Sequence, residues 1–379
     1  MKTYCFFASH FLPYLGGVER YTYNMAKKLH ENGNRVIIVT SEMEAQKQRE
    51  ITQGIEIIRT DAFFVMGERL PFYVPTRRNR EIFRYLSQCG IDAVLINTKF
   101  YVLSLVAARF ARKNRIPAVV IEHGTGHIAF DNKIVEAAGK AYEHLLARLV
   151  YKQCRNFAGV SKECCGYLSH FHIPAAGILY NAVDYEQIQS IKRQVSKSTG
   201  GRTIVYAGRC MKEKGVGVLA GAFDKLTKEF DDIHLLVIGD GKDLNCLREQ
   251  YKGNDHIEFT GKLEFEDLIK RVAAADIFCF PTKYPEGLPT CMLEAMAAGL
   301  YSITSSCGGA KEVIADDSYG RIMDSCDEKA VMNELRTTLL MDGGERRKIA
   351  ENGRRRVKEF FTWDNTVREM ERIFEEICR

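Results

Sequence analysis

Short apolar segments alternate with segments of helical period along almost the whole chain. In the first half, the apolar runs predict strands at residues 4–9, 35–40, 55–59, 93–97, 118–122, 156–160 and 177–179. Helical spacing separates them, as in residues 18–31, where apolar residues recur at steps of three and four from Val18 to Leu29 and Gly33 ends the run. Strands that alternate with helices indicate a parallel sheet with crossover helices.

A second series of the same kind follows a polar stretch at residues 186–201, which we interpret as a linker. Its predicted strands are residues 203–207, 234–238, 257–260, 277–281 and 301–305, and its predicted helices are residues 216–230, 242–251, 265–274 and 290–298. The sequence therefore predicts an α/β protein with two Rossmann-like domains facing a cleft, at residues 1–185 and 202–361. We expect the final helix, in residues 362–379, to pack back on the first domain.

The composition fits this architecture and removes several other classes. At about 150 residues per domain, 379 residues suffice for two domains with separate cores. With 46% hydrophobic and 27% charged residues, the chain is neither a disordered protein nor a coiled coil. No apolar run approaches the roughly 18 residues of a membrane-spanning helix, and the N-terminal apolar stretch is too short for a signal peptide. The 12 cysteines are scattered, without a C-x-x-C pair, so we expect a cytoplasmic protein.

Positive charge is concentrated in the first half of the chain. Residues 1–190 hold 24 Lys and Arg against 17 Asp and Glu, whereas residues 191–379 hold 30 against 32. Ten of the basic residues fall between Arg69 and Arg115, opposed there only by Glu81 and Asp92. Such a surface attracts the anions of nucleic acid, acidic lipid headgroups or phosphorylated substrates, but solvated helix faces have the same composition.

Two glycine-containing turns come directly after predicted strands. Gly16 and Gly17 precede the first helix, whose free N–H groups could meet an anion, although an ordinary tight turn is an equal alternative. In the second domain, Gly208 is followed by Arg209 and Lys214, two cations on one loop that could hold a diphosphate. The alternative there is an exposed basic loop.

The segment from Pro285 to Gly299 is the strongest signal for a binding site. Pro289 suits a helix start and Gly299 its left-handed end, which puts Glu286 on the loop before the helix and Glu294 about one turn inside it. A carboxylate buried among Met, Leu and Ala needs a partner, which a pair of ligand hydroxyls would supply. The alternative is a surface helix with a capping glutamate.

His123 is a further candidate, because it follows Glu122 at the end of a strand in the first domain. Open α/β sheets bind ligands at this edge. A histidine with a purely structural role is nevertheless the commoner case.

Together these segments resemble the retaining glycosyltransferases of family 4, which have the GT-B architecture. The resemblance runs from residues 16–20, through residues 160–161 and 180–184, to residues 286–294 and 308–313. Its most specific part is the pair of glutamates eight residues apart with an arginine and a lysine upstream. One departure is Ala182, where the family usually has glycine, and it bears on that turn and not on the donor site.

The resemblance implies a role for each candidate residue. Arg209 and Lys214 would hold the diphosphate of a nucleotide-sugar donor. Glu294 would bind the ribose hydroxyls, Glu286 would lie beside the donor sugar, and His123 would line the sugar pocket. The other implied donor-binding residues are Gly16, Gly17, Gly208, Lys262, Leu263, Gly287, Leu288, Pro289 and Thr290.

The residue types suit this chemistry without a cofactor or a metal. The sequence contains no Asp-x-Asp pair to bridge a metal to the diphosphate, so we expect Arg209 and Lys214 to take the place of the metal. We expect attack on the face from which the leaving group departs, with a phosphate oxygen taking the acceptor's proton. A UDP-sugar is favoured as donor on family frequency alone.

The first domain would bind the acceptor. Phe63, Phe64, Phe72 and Tyr73 lie beside the basic residues 69–115, so we expect a lipid-linked or glycan acceptor at the inner face of an anionic membrane, in envelope-glycan synthesis. Core aromatics beside a solvated basic face are the alternative. A GT-B epimerase stays open, as does a catalytically silent partner subunit that binds sugar nucleotides. Nucleic acid is not an expected partner, because no recognition module surrounds the basic residues.

Overall fold

The chain forms two compact units, each built on its own sheet. The structure, a computed structural model, describes residues 1–14, 16–43, 46–65, 70–127, 132–196 and 201–378. Unit 1 comprises Met1–Asn181 together with Trp363–Arg379, and unit 2 comprises Ala182–Thr362. Leu15 of the first glycine turn, Arg69 of the basic stretch and residues 197–200 of the predicted linker lie outside the described residues.

The strands of unit 1 coincide largely with its apolar runs. In chain order they are β1 (Thr3–Phe7), β2 (Arg35–Ser41), β3 (Arg49–Thr52), β4 (Ile55–Thr60), β5 (Ala62–Val65), β6 (Leu70–Tyr73), β7 (Ala93–Asn97), β8 (Ala118–Glu122), β9 (Phe157–Gly159) and β10 (Ala175–Ile178). Across the described residues, eight of them form one sheet in the order β10-β9-β8-β7-β1-β2-β4-β3, parallel except for the edge strand β3. Val94 and Ile96 in the centre are fully buried, and each such side chain stabilises the fold by about 1.5–3 kcal/mol.

Helices α1 (Gly17–Glu31), α2 (Arg77–Leu86), α3 (Val102–Lys113), α4 (Lys133–Gln153) and α5 (Lys162–Ser169) connect these strands. The helix α1 buries the predicted apolar stripe, including Tyr21, Met25 and Leu29. Its start is fixed by Glu19, whose carboxylate accepts a hydrogen bond from the Gly16 N–H at 2.8 Å. The predicted helix at residues 18–31 is therefore confirmed.

The short strands β3, β5 and β6 were not predicted from the sequence. Each has four residues, which is too few for a period of two to stand out. The β5–β6 hairpin pairs Phe63 with Phe72, whose ring centroids lie 5.2 Å apart. Two of the aromatic residues expected near the membrane thus stack on each other across this hairpin.

Unit 2 repeats the parallel α/β plan. Its strands are β11 (Arg202–Ala207), β12 (Ile233–Ile238), β13 (Ile257–Gly261), β14 (Ile277–Phe280), β15 (Tyr301–Ser305) and β16 (Arg321–Met323), in the order β13-β12-β11-β14-β15-β16. Its helices are α6 (Tyr185–Lys192), α7 (Val216–Leu226), α8 (Leu244–Gln250), α9 (Phe265–Ala274), α10 (Thr290–Ala298), α11 (Ala310–Val313), α12 (Glu328–Leu340) and α13 (Gly343–Phe360). The predicted fold class, α/β with parallel sheets, is confirmed in both units.

The structure differs from the predicted linker at residues 186–201. Asp184 caps helix α6 by accepting a hydrogen bond from the Gln187 N–H, and Tyr185, Ile188 and Ile191 are buried on one face of that helix. The many polar residues of this segment obscured a narrow apolar stripe at steps of three. Residues 185–192 therefore belong to the packed part of unit 2.

The last helix, α14 (Trp363–Cys378), lies in unit 1, where it packs against α1 and β10. Trp363 contacts Tyr21 edge to face with ring centroids 5.3 Å apart, and Asp364 forms an ion pair with Lys28 at 2.7 Å. The end of the chain thus completes the unit that the beginning of the chain starts. None of the described helices combines the length and the apolar character that crossing a bilayer requires.

Candidate functional site

The loop after β11 carries the two cations expected to hold a diphosphate. The Gly208 N–H continues the sheet by donating to the Ile238 carbonyl at 3.0 Å. A short 3-10 helix, Lys212–Lys214, follows and ends at Gly215 with φ 78°. A Cβ at Gly215 would lie 2.0 Å from the Pro281 carbonyl oxygen, so only glycine fits where the loop turns into α7.

Tyr284 brings the two cations together. The Lys214 ammonium lies 4.7 Å from the centroid of this ring, and the Arg209 guanidinium carbon lies 5.9 Å from it. The electron-rich face of an aromatic ring attracts cations at such distances. Sequence reasoning missed Tyr284, which lies directly before the segment from Pro285 to Gly299.

Lys214 and Glu286 form an ion pair that joins two predicted site residues 72 positions apart. Both side chains are mostly buried, with 11% and 14% of their surfaces exposed. A lysine ammonium has three N–H donors, so the bond to the Glu286 Oε1 leaves donor capacity for a phosphate oxygen. The pair therefore places a cation and a carboxylate side by side in unit 2.

The loop that carries Glu286 is held in place by residues 308–309. The Gly309 N–H donates to the Gly287 carbonyl at 2.8 Å. Gly308 has φ 56°, and a Cβ there would lie 2.1 Å from the Glu286 carbonyl oxygen. Close backbone approach and a left-handed conformation both require glycine at this position.

Helix α10 carries Glu294, the second glutamate of the predicted pair. The helix begins at Thr290 after Pro289 and ends at Gly299 with φ 85°, so the predicted helix at residues 290–298 is confirmed. Glu294 is buried one turn inside it, with 5% of its surface exposed, and Leu288 is buried just before it.

Three charged groups of the candidate site affect the pKa of the Cys291 thiol. Burial raises the pKa of Cys291, the Glu286 and Glu294 carboxylates raise it further, and Lys214 opposes them. Glu286, Glu294 and Lys214 thus all lie within electrostatic reach of one thiol at the start of α10.

The other implied donor-binding residues of unit 2 lie at the carboxyl end of β13. Gly239 donates its N–H to the Gly261 carbonyl at 2.9 Å, which ties the ends of β12 and β13 together. Lys262 follows on the surface, and Leu263 is half-buried. The carboxyl ends of β11, β12 and β13 are neighbours in the sheet, so these residues share an edge with Gly208.

His123 occupies the corresponding edge of unit 1. Its Nε2 lies 2.8 Å from the Asn97 Oδ1, an acceptor, and its ring contacts Tyr21 edge to face at 4.8 Å. Burial lowers the pKa of His123 to about 3, so the imidazole is neutral at physiological pH. Tyr21 stands one turn after Gly17, which places the first glycine turn on the helix that contacts His123.

A buried ionic network supports the strand end that carries His123. Lys99 donates to Glu122 at 2.7 Å and to Glu143 at 2.8 Å, and all three side chains are at least 95% buried. The second carboxylate oxygen of Glu122 accepts the N–H groups of His123 and Gly124 at 3.1 and 3.0 Å. Sequence reasoning missed Lys99, because its partners lie 23 and 44 residues away.

Several buried polar atoms lie at the same edge without a hydrogen-bond partner among the described residues. They belong to side chains at the ends of the adjacent strands β1, β2 and β7, namely Ser9 Oγ, Thr40 Oγ1, Asn97 Nδ2 and Thr98 Oγ1. Thr98 also has φ 65°, a strained conformation for a β-branched residue. Buried groups of this kind each cost about 1–3 kcal/mol, and native proteins retain few of them.

Comparisons with known proteins agree with the two-unit plan. The model of Glycosyltransferase Family 4 matches residues 15–187, and that of Glycosyl transferases group 1 matches residues 187–356. A glycosyltransferase of Methanocaldococcus jannaschii is 28% identical over 98% of this chain and 97% of its own length. One component of the human phosphatidylinositol N-acetylglucosaminyltransferase is 22% identical over 98% of this chain and 76% of its own.

Solved structures show the same fold. The crystal structure of Anabaena HepE in complex with UDP matches 99% of this chain and 100% of its own, with a TM-score of 0.76 and 16% identity. At this identity the match speaks for the fold and not for the substrate. The chain therefore belongs to the family 4 glycosyltransferases of group 1 type and has their GT-B fold.

Proposed function

We propose that the protein is a retaining glycosyltransferase that moves a sugar from a nucleotide diphosphate donor, a UDP-sugar, to a hydroxyl of a lipid-linked or glycan acceptor. Unit 2 binds the donor and unit 1 the acceptor. The observation that carries this proposal is the group of Arg209, Lys214 and Glu286 around Tyr284, next to the start of α10. Two cations beside a helix N-terminus suit a diphosphate.

The negative charge that develops on the leaving diphosphate explains the role of Arg209 and Lys214. When the bond between the anomeric carbon and the diphosphate oxygen breaks, negative charge grows on the leaving group, and positioned cations stabilise it without reorganisation. The acceptor oxygen bonds to the same face of the anomeric carbon, and its proton passes to the departing phosphate. Arg209 and Lys214 take the place of a metal in this scheme. Glu286 keeps Lys214 in position until the donor arrives.

The acceptor proposal rests on unit 1. Buried hydroxyl and amide groups without partners among the described residues line the carboxyl end of its sheet, beside the neutral imidazole of His123. Such groups are suited to hydrogen bonding with the hydroxyls of a sugar or an inositol. The human relative is named for a transfer to phosphatidylinositol, and this supports a lipid acceptor. The choice of UDP as the donor nucleotide rests on its frequency among the donors of this family alone.

The proposal is tested with a panel of UDP-, GDP- and ADP-sugars. A ligand that binds only the folded protein raises its melting temperature, so the donor nucleotide should do so, equally with and without EDTA. Transfer from that donor to a lipid acceptor should then be followed with the product's anomeric configuration read by NMR. Inversion, or loss of the thermal shift in EDTA, would contradict the mechanism.

Variants separate the diphosphate contacts from general effects. Arg209→Ala and Lys214→Gln should each lower kcat by about 10²–10³, as loss of one transition-state contact does in other enzymes. Arg355→Ala is the matched control, because this arginine is exposed and contacts Glu351 and Asn352 of its own helix. Consumption of donor without transfer to any acceptor would instead indicate an epimerase.

A further inference from the structure

Three histidines come together on unit 1 from three different elements. His127 lies on the loop after β8, His144 lies in α4, and His170 ends α5. Each offers one ring nitrogen, and the three nitrogens all lie within 4.8 Å of one another. We propose that His127, His144 and His170 bind one divalent transition-metal ion of the Zn²⁺ type.

The hydrogen bonding of His127 prepares it as a ligand. Its Nδ1 lies 2.6 Å from the Glu143 Oε2 and donates to it, because a carboxylate oxygen can only accept. In the neutral ring this leaves the lone pair on Nε2, which faces the His170 Nε2 at 3.1 Å. A carboxylate behind a histidine is the usual support of a metal-binding imidazole, since it fixes the tautomer and raises the basicity of the ligand nitrogen.

The distances suit a tetrahedral ion. Zinc binds histidine nitrogens at about 2.0–2.1 Å, so two such nitrogens in a tetrahedral site lie about 3.3 Å apart. The pair from His127 and His170 already has nearly this separation. His144 and His170 are exposed, so their side chains have room to close the remaining gap. Three protein ligands leave the fourth position to water.

The surroundings favour a cation bound by neutral rings. The three histidines pack around Phe171, with ring centroids between 4.7 and 5.7 Å from it. Glu143 is buried and ionic, so it supplies negative charge directly behind His127.

The bound ion would connect to the strand end that carries His123. Glu143 shares Lys99 with Glu122, and Glu122 accepts the backbone N–H groups of His123 and Gly124. The ion would therefore fix α4, α5 and the loop after β8 with respect to one another. None of its ligands is a residue assigned to the diphosphate, so this inference stands apart from the proposed transfer reaction.

The test uses the full chain after chelator treatment and dialysis. Titration with Co²⁺ should give one ion per chain and the intense visible absorption of a four-coordinate cobalt site, and Zn²⁺ should displace it. Zn²⁺ should also raise the melting temperature, because it binds the folded state. A stoichiometry well below one, or only the weak absorption of octahedral cobalt, would overturn the proposal.

Variants assign the ligands. His144→Ala and His170→Ala should each weaken Co²⁺ binding by at least about tenfold, because even the outer partner of a metal ligand is commonly worth that much. Both residues are exposed, so the metal-free variants should melt at the same temperature as the metal-free wild type. His234→Ala is the control, since His234 is exposed and stacks on His256 at 5.3 Å in unit 2. Unchanged binding in the double variant, or an equal loss in the control, would contradict the site.

Discussion

Two residues at the carboxyl end of the unit 1 sheet differ in charge, because only one of them has ionic partners. Burial opposes the charge of Lys99, but the carboxylates of Glu122 and Glu143 outweigh it and raise the pKa of the ammonium. His123 has a neutral amide, Asn97, at its Nε2, and burial lowers its pKa to about 3. At neutral pH the same edge thus holds a charged ammonium and an uncharged imidazole.

The low pKa of His123 predicts how acid affects stability. Because the ordinary pKa is about 6.5, the unfolded chain takes up a proton as the pH falls below that value, while the folded protein does so only near pH 3. The contribution is complete above pH 6.5 and is lost as the pH falls towards 3. Between pH 7.5 and 5.5 the free energy of unfolding should decrease by about 1.4 kcal/mol from this group.

Urea unfolding followed by tryptophan fluorescence measures this effect. Trp363 is the only tryptophan of the sequence, and it contacts Tyr21, which contacts His123. His123→Gln keeps a hydrogen-bonding side chain beside Asn97 and removes the titration. Between pH 7.5 and 5.5, the free energy of unfolding of the variant should decrease by about 1.4 kcal/mol less than that of the wild type. Equal losses in the two proteins would show that folding does not lower the pKa of His123.

The residues of the candidate donor site are positioned mainly by loops that connect the strands and helices. Arg209, Lys214 and Glu286 all stand on loops that follow parallel strands. Each loop is fixed by a close backbone contact that only glycine allows, at Gly215 against Pro281 and at Gly308 against Glu286. A fixed loop holds a charged side chain in one geometry before the ligand arrives, which reduces the entropy that binding costs.

Gly308→Ala tests this use of glycine. The added Cβ would collide with the Glu286 carbonyl oxygen, and φ 56° is strained for alanine, so we expect a destabilisation of about 1–3 kcal/mol together with weaker donor binding. Thermal unfolding and donor titration give the two readouts. Gly253→Ala is the control, because a Cβ there meets nothing within 4 Å. If both variants bind donor as the wild type does, Gly308 has no part in placing Glu286.

At the scale of the whole molecule, the chain ends in the unit where it begins. Helix α14 buries Met370, Ile373 and Phe374 against unit 1, so residues 1–181 do not hold a complete core by themselves. The two sheets nevertheless stay separate, because each has its own strands and its own buried centre. Stability of unit 1 should therefore depend on the last turns of the chain.

Met370→Ala measures the contribution of α14. Met370 is fully buried, and truncating a buried methionine costs about 2–5 kcal/mol. The transition reported by Trp363 fluorescence should move to lower urea by the corresponding amount. Glu375→Ala changes an exposed residue of the same helix and should stay within about 0.5 kcal/mol of the wild type. A small effect of Met370→Ala would mean that α14 is dispensable for unit 1.

The prediction of membrane docking rests on exposed apolar and basic residues of unit 1. Phe63 and Val65 are exposed on the β5–β6 hairpin. Arg77, Arg80 and Arg84 stand at steps of three and four on the exposed face of α2. Arg78 lies between them but is paired with Glu42 and Asp61. The structure thus removes Arg78 and the buried Lys99 from the basic stretch, whereas Arg80 and Arg84 on this face are exposed to lipid headgroups.

Flotation with anionic liposomes tests this group. Each basic residue near an anionic surface contributes about 1 kcal/mol, so Arg80→Gln and Arg84→Gln should each lower partitioning by about fivefold at low salt. Phe63→Ser should lower it further, and Arg355→Gln in unit 2 should not change it. Partitioning that is absent in the wild type, or equal in all variants, would contradict membrane docking.

Most elements could be predicted from the sequence because their signals are local. The strands β7, β8 and β15 and the helices α9 and α10 have the predicted bounds, since each has a strong periodic pattern and a clear end signal. The short strands, α6 and the helices α11, α12 and α13 were not predicted. For the short strands and α6, four residues or a narrow stripe give too little pattern. The candidate donor residues could be chosen for the same reason, since a charge and a glycine next to a strand end are visible in the sequence.

The sequence by itself determined the alternation of strands and helices, the glycine turns and the choice of Arg209, Lys214, Glu286 and Glu294 as candidates. Only the tertiary structure decided which of them meet. The pairing of Lys214 with Glu286, the contacts of Lys214 and Arg209 with the ring of Tyr284, the surroundings that keep His123 neutral and the cluster of three histidines all join residues far apart in the chain. Contacts of this kind follow from the packing of sheets and helices, so they cannot be predicted from a local sequence pattern.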